Sequence, residues 1–259
     1  MIFVTTHCYA LGWSMGMDEA AAELADQIQH PTQESLPVVR TITRLRSLDE
    51  CGLWFDPGST RIAESRSRGF HEALNSNCDV WFACDDDCEA TLDTLRWMVE
   101  AVKTSSGICL APYWCRYSQT QEPRVSLQVR AMAEGESPEY RDLPNGGRTM
   151  PALWGGFGLV AMSRQAMVDM AEHNRNLTYT DKLGVQRLAL FLEHIEGQSW
   201  LPEDNAFFKR LPDTVKVEAL VTGVTMHNGR VLDLRLLQDG YATMEAMREP
   251  SNPESSASS

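Results

Sequence analysis

The sequence predicts an α/β fold, a mixed sheet flanked by helices, and three observations carry that expectation. Short apolar runs such as Val80-Trp81-Phe82-Ala83-Cys84 are rich in aromatic and β-branched residues and bounded by polar ones, as buried strands are. Other segments carry apolar residues at three- and four-residue spacing, as amphipathic helices do. The two kinds alternate from Met1 to Ala111, which implies parallel strands joined by helical crossovers.

The elements follow in order. Met1 to Thr6 reads as the first strand, and Asp18 caps an Ala-rich helix running to about Gln29. Pro37 introduces a second strand at Val38 to Ile42. A helix from Ser59 places Ile62, Ala63, Phe70, Ala73 and Leu74 on one face and ends near Asn75 and Asn77. The Val80–Cys84 strand leads through Asp85, Asp86 and Asp87 into a helix from Glu89 to Lys103, and Gly107 to Ala111 forms another buried strand. After Pro112 the pattern changes. Val125 to Val129 alternates with period two, and Pro144-Asn145-Gly146-Gly147 signals a turn, so an antiparallel section with a long loop is expected between 113 and 153. Then come a strand at Gly158 to Met162, a helix capped by Ser163 and reaching His173, and helices at Lys182 to Ile195 and Pro202 to Arg210. Strands at Val215 to Val221 and Val224 to Met226 and a helix at Leu234 to Met247 close the chain. One domain over residues 1–249 is expected, with a tail at 250–259 too polar to pack.

Bulk properties exclude some functions. A chain of 259 residues buries roughly 75% of its unfolded surface, enough for one substantial core. The net charge of −13 argues against a nucleic-acid backbone as main partner, since phosphate binding draws on clustered Lys and Arg. Seven cysteines without a CxxC pair suit a reduced chain better than a disulfide scaffold or zinc module. No apolar run reaches the length of a membrane span and no basic leader precedes an apolar segment, so a cytoplasmic protein is expected.

Chemistry concentrates at a few places. Three adjacent carboxylates at a strand end repel one another, and a hard cation such as Mg²⁺ or Mn²⁺ between their oxygens relieves that repulsion. A solvated acidic turn is the plain alternative. In an open α/β sheet ligands sit beyond the carboxyl ends of the strands, where these aspartates stand. The helix feeding that strand carries Arg61, Arg66 and Arg68, of which Arg66 is best placed to reach a bound phosphate. Gly155-Gly156-Phe157-Gly158 allows close approach of a ligand to the main chain, or serves a tight turn. Trp154 beside it stacks on a ring or fills core. Glu203-Asp204 after Pro202 caps a helix or supplies a general base. His227, ending an apolar strand, is structural or ligates a metal.

Taken in order, these features resemble the GT-A class of nucleotide-sugar glycosyltransferases: a DxD motif after a buried strand, a Gly-rich stretch, an ED pair heading a helix, and a late histidine. The resemblance covers about residues 1 to 230 and implies a Rossmann-like GT-A fold with an antiparallel acceptor-side section. It implies that Asp85 and Asp87 are the two Asp of DxD, with Asp87 on the metal and Asp85 facing ribose or metal-bound water. It makes His227 a further ligand of Mn²⁺ or Mg²⁺, and Asp204 the catalytic base with Glu203 near the acceptor. Thr5, Thr6, Arg66, Asp86, Gly155 and Gly156 would line the donor site. The implied partners are a nucleotide-sugar donor and an unidentified acceptor: a glycan, lipid-linked sugar, protein or modified base. The loop His7-Cys8-Tyr9-Ala10 departs from the class in lacking a Pro-rich segment and Arg. Rival readings are a sugar-phosphate nucleotidyltransferase, which wants a basic Gly-rich loop where Gly12-Trp13-Ser14-Met15-Gly16 stands, and a haloacid-dehalogenase-like phosphatase, which wants Thr where Glu89 stands. A non-catalytic module binding a nucleotide-sugar or glycan is the other alternative.

Overall fold

The computed structural model describes residues 1–8, 17–32, 35–57, 62–115, 124–129, 138–181 and 184–238. Its frame is an eight-stranded mixed sheet. In chain order the strands and helices that build the frame and site are β1 (Ile2–Cys8), α1 (Met17–Gln29), α2 (Pro37–Arg46), β2 (Cys51–Pro57), α3 (Ile62–Asn75), β3 (Val80–Asp85), β4 (Cys88–Ala90), α4 (Leu92–Ser105) and β5 (Ile108–Leu110). They continue with β6 (Arg141–Asp142), β7 (Arg148–Pro151), β8 (Leu159–Ser163), α5 (Arg164–His173), α6 (Glu203–Lys209), β9 (Val217–Leu220), β10 (Val224–His227) and β11 (Arg230–Asp233).

The sheet order is β2-β1-β3-β8-β5-β9-β7-β6. Strands β2, β1 and β3 are mutually parallel; β8 runs antiparallel between β3 and β5; β5 and β9 are parallel; β7 and β6 add an antiparallel edge. The expected α/β architecture with a mixed sheet is therefore present. Its two faces are covered by separate clusters. Side chains alternate along β3, so Val80, Phe82 and Cys84 pack with Val38, Ile42, Leu45, Leu95 and Met98 of α2 and α4. Trp81 and Ala83 pack on the other side with Phe70, Met167, Met170 and Phe207 of α3, α5 and α6. The same alternation puts Asp85 in phase with Trp81 and Ala83, on the α3 and α6 side.

Three expected elements are corrected. Val38 to Ile42 is not a strand but the interior of α2: Pro37 occupies the first turn, where its missing N–H costs nothing, and Val38, Val39, Ile42 and Leu45 share one buried stripe. The second strand of the sheet is instead Cys51–Pro57, which the sequence pattern does not announce. Glu89 does not start a helix: it lies in β4, paired with Met226, and Thr91 caps α4 by accepting from the Thr94 N–H at 3.3 Å. The segment Lys182 to Ile195 is not helical in its described part. It supplies one strand to each of two hairpins, Thr178–Thr180 with Gln186–Leu188 and His194–Glu196 with Ser199–Leu201; Gly184 and Gly197 hold positive φ at their turns. Of the closing helix, Leu234 and Arg235 form a turn, residues 236–238 are helical, and the part from 239 on lies outside the described residues, as do Arg61, the loop from Tyr9 to Gly16 and the tail.

A three-stranded antiparallel sheet, β11-β10-β4, completes the site. After Asp85 the chain leaves the main sheet, turns through Asp86 and Asp87, and enters this smaller sheet as β4. The junction of the two sheets is thus made of the aspartates themselves. No helix among the described residues is long and apolar enough to cross a membrane.

Candidate active site

Arg66 is the centre of the first cluster. It projects from the buried face of α3 and is itself buried. Its Nη2 donates to both oxygens of Asp85 at 3.2 and 3.0 Å, and its Nη1 donates to Glu203 Oε1 at 3.0 Å and to Asp204 Oδ1. The planar guanidinium, with its fixed fork of donors, suits such a multiple grip better than lysine would. Its face lies over the Phe157 ring, 5.3 Å from the centroid, a cation–π contact inside the aromatic cluster of Trp81, Phe157, Phe191, Phe207 and Phe208. Burial disfavours the guanidinium charge, but Asp204, Asp85 and Glu203 outweigh it and hold Arg66 protonated.

Three carboxylates share that one cation. The mismatch falls on Asp204. Burial pushes its carboxyl up to about 7; Arg66 opposes this, while Glu203 and Asp85 add to it, and the Phe157 N–H donates to Oδ2 at 3.3 Å. A carboxylate that ionises near neutrality, held at the head of a seven-residue helix, has the properties a general base needs.

The second cluster lies across the Asp86–Asp87 turn. Asp87 Oδ2 faces His227 Nε2 at 3.1 Å and accepts from Asn228 Nδ2 at 2.8 Å, and the Asn228 N–H donates to the Asp87 carbonyl at 3.1 Å. His227 Nδ1 lies 2.6 Å from the Trp114 carbonyl. A carbonyl only accepts, so Nδ1 carries a proton and Nε2 presents either a second proton or a lone pair toward Asp87. Burial works against both charges. Asp87 is nonetheless held below its ordinary range by His227, Cys88 and Asn228, and His227 is held above its own by Asp87.

Asp85, Glu203 and Asp204 thus converge on Arg66, and Asp87 converges on His227; Asp85, expected with Asp87 and His227 at the metal, is instead held by the Arg66 guanidinium. Arg66 faces carboxylates rather than open space. Arg68, the next arginine along α3, sits 3.6 Å from Asp56 and over the Trp54 ring. Thr5 and Thr6 line a small cavity with Trp54, Ser65, Arg66, Ala83, Cys84 and Asp85. Thr5 Oγ1 accepts from the Trp81 indole at 2.8 Å, whereas buried Thr6 Oγ1 has no partner among the described residues. Asp86 is buried at the turn, its carbonyl accepting from the Val38 N–H at 3.4 Å.

Gly155 and Gly156 stand against protein atoms. A Cβ on Gly155 would lie 2.8 Å from Leu110 Cδ1 and from the Ser126 carbonyl oxygen, and one on Gly156 would meet the Tyr113 hydroxyl. The smallness of Gly156 and Gly158 admits Tyr113, whose hydroxyl accepts from the Gly158 N–H at 3.1 Å and whose ring lies 4.8 Å from that of His227. Gly158 in turn accepts from the Asp85 N–H at 3.0 Å. Sequence reasoning misses Tyr113, Phe157 and Asn228 as site residues. Asn228-Gly229 is the readable signal: both residues take positive φ and form the two-residue turn joining β10 to β11, which fixes His227 at the strand end.

No protein-family model and no curated protein matches the chain. Among solved structures it is similar to A197 from STIV, at 12% identity over 91% of both chains with a TM-score of 0.45. It is also similar to a UDP-glucose pyrophosphorylase complexed with UDP-glucose, at 10% identity over 96% of this chain and 100% of that one with a TM-score of 0.39. A mannose-1-phosphate geranyltransferase from Thermus thermophilus matches at 10% identity over 85% of this chain and 73% of that one, with a TM-score of 0.33. The functional reading rests on the site's own geometry.

Proposed function

We propose that this protein is a metal-dependent glycosyltransferase of GT-A type, moving a sugar from a nucleoside-diphosphate sugar to an acceptor hydroxyl. The observation that carries the proposal is the convergence, at the carboxyl end of β3, of a carboxylate–imidazole pair with a buried carboxylate that ionises near neutrality. The donor set fits a divalent cation. His227 is fixed by its Nδ1–H bond to Trp114, as metal-ligating histidines commonly are by an outer partner, so Nε2 and the Asp87 carboxylate can face one ion. That ion would stabilise the charge developing on a leaving diphosphate.

The remaining tasks fall to the chain's own groups. Thr6, buried and unpartnered among the described residues beside the cavity, offers a hydroxyl to a polar ligand there. Arg66 fixes the orientations of Asp85, Glu203 and Asp204 and keeps their mutual repulsion in check. Asp204 takes the proton of the acceptor hydroxyl as the new glycosidic bond forms; its affinity for that proton comes from burial beside two other carboxylates. Phe157 and its aromatic neighbours keep the base away from bulk water on one side.

A panel of nucleotide-sugars with Mn²⁺, followed by thermal shift and by product analysis, tests this. Release of nucleoside diphosphate supports the proposal. Release of nucleoside triphosphate on adding pyrophosphate would reassign the protein as a nucleotidyltransferase. Stabilisation without turnover, in the presence of varied acceptors, would reassign it as a binding module.

A further inference from the structure

We propose that Cys88 is a thiolate ligand of the cation held by Asp87 and His227, so that the site selects a borderline divalent ion over Mg²⁺. This rests on the reading of Asp87 and His227 as metal ligands and adds a residue to them. Cys88 opens β4, and its Cα pairs directly with that of His227 in the antiparallel ladder. Residues opposite each other in such a ladder point to the same face, with Cβ atoms about 5 Å apart. Asp87 precedes Cys88 in the turn. One ligand atom each from Asp87, Cys88 and His227 therefore lie within 4.8 Å of one another.

The spacing suits a single ion. Two donors about 2.1 Å from a tetrahedral centre are about 3.4 Å apart. Asp87 Oδ2 and His227 Nε2 are 3.1 Å apart, and Cys88 Sγ and Asp87 Oδ1 are 3.6 Å apart. The sulfur is held in place from behind: a Cβ on Gly158 would lie 2.6 Å from Cys88 Sγ, so only glycine there leaves the thiol its room. Oxygen, nitrogen and sulfur together favour Zn²⁺ or Co²⁺ over Mg²⁺, which wants oxygen in octahedral array. Three protein ligands leave a fourth position for a donor oxygen. On binding, the metal–sulfur bond forms, the S–H bond breaks and the proton leaves to solvent; no oxidation state changes.

Co²⁺ titration of the full chain, followed by absorption, reads the ligand directly. The wild type is expected to show a thiolate-to-cobalt charge-transfer band in the near ultraviolet beside the visible d–d bands. Cys88→Ala should lose the near-ultraviolet band and bind Co²⁺ roughly tenfold or more weakly, while Cys84→Ala keeps both features. Zn²⁺ should displace Co²⁺ and excess Mg²⁺ should not. Visible bands without the near-ultraviolet band in the wild type would overturn the role of Cys88 and leave the Asp87–His227 site standing. Persistence of the band in Cys88→Ala would likewise overturn it. Failure of the wild type to bind Co²⁺ at all would remove both this proposal and the metal site beneath it.

Discussion

Asp85 and Asp87 stand on either side of Asp86, and their partners differ in kind. Asp85, in phase with Trp81 and Ala83, meets a permanent cation, Arg66, on the α3 side of the sheet. Asp87, already past the last main-sheet residue, meets His227, whose charge depends on pH. The first carboxylate is neutralised by the protein itself and shares its cation with Glu203 and Asp204. The second has a partner that is itself a metal ligand by chemistry. A chain that packs acidic residues this densely has divided them: one group is wired to the core and tunes a proton, and the other is left to a replaceable charge.

Five substitutions test that division. The largest effect is expected from Asp87→Ala, which should reduce metal-dependent turnover on the order of 10³-fold, as loss of a group stabilising transition-state charge does. Its unfolding free energy in denaturant should change by no more than about 1 kcal/mol, because the Asp87–His227 pair is partly exposed. A large loss of stability with normal turnover would make Asp87 structural.

Asp204→Asn should slow transfer roughly a hundredfold or more while sparing donor binding, as removal of a general base does. In the wild type the rate should rise with pH through about 7, since the base works only when ionised. The same group affects stability with the opposite sign. Its folded pKa lies above the ordinary 3.8, so the folded state holds the proton more tightly, and Asp204 contributes stability that declines as pH rises from about 4 to about 7. A flat rate profile together with unchanged transfer in Asp204→Asn would remove it as the base.

Arg66→Ala leaves three carboxylates without their shared cation and should cost about 3 kcal/mol in denaturant unfolding. Arg66→Lys should recover part of this, keeping the charge and losing the fork. Stability equal to wild type in both variants would show that the cluster is solvated rather than wired to the core.

The smallest effect is a titration shift. Asp87→Asn should lower the pKa of His227, followed by NMR, because Asp87 is what raises it above 6.5. The sign for stability follows. The raised His227 contributes stability below its unfolded pKa and loses it as pH rises through the folded value; the lowered Asp87 contributes above its unfolded pKa and loses it as pH falls. The pair is strongest between those limits, at mildly acidic pH. An unmoved His227 titration would mean that Asp87 points elsewhere in solution.

Much of the frame was legible because β3, α3, α4 and β8 have clear periodicities, and the alternation along β3 alone places Asp85 on the Arg66 side. The misread elements are those where local preference and context conflict. Val38, Val39, Thr41 and Ile42 are β-branched, yet their spacing with Leu45 builds a helix stripe once Pro37 starts the turn. Leu188, Leu190 and Phe191 mimic a helix face, but Gly184 and Gly197 impose turns that divide the segment between hairpins. Glu89 favours a helix start, but its carboxylate is buried between Arg40, at 2.7 Å, and Arg44, at 2.5 Å, and is drawn into β4. That clamp joins α2 to the acidic turn over a long stretch of sequence, which no local window contains. Candidate site residues follow from motif order, whereas their mutual pairings do not. Arg66 was expected to face phosphate and instead grips three carboxylates; Tyr113 fills the space that Gly156 and Gly158 leave open.

The most direct test of the central claim is Mn²⁺ binding measured by electron paramagnetic resonance, with and without a nucleoside diphosphate, in the wild type and Asp87→Ala. The account predicts that the diphosphate tightens Mn²⁺ binding in the wild type and that Asp87→Ala abolishes this tightening while remaining folded. Equal Mn²⁺ binding by both proteins, indifferent to the diphosphate, would contradict it.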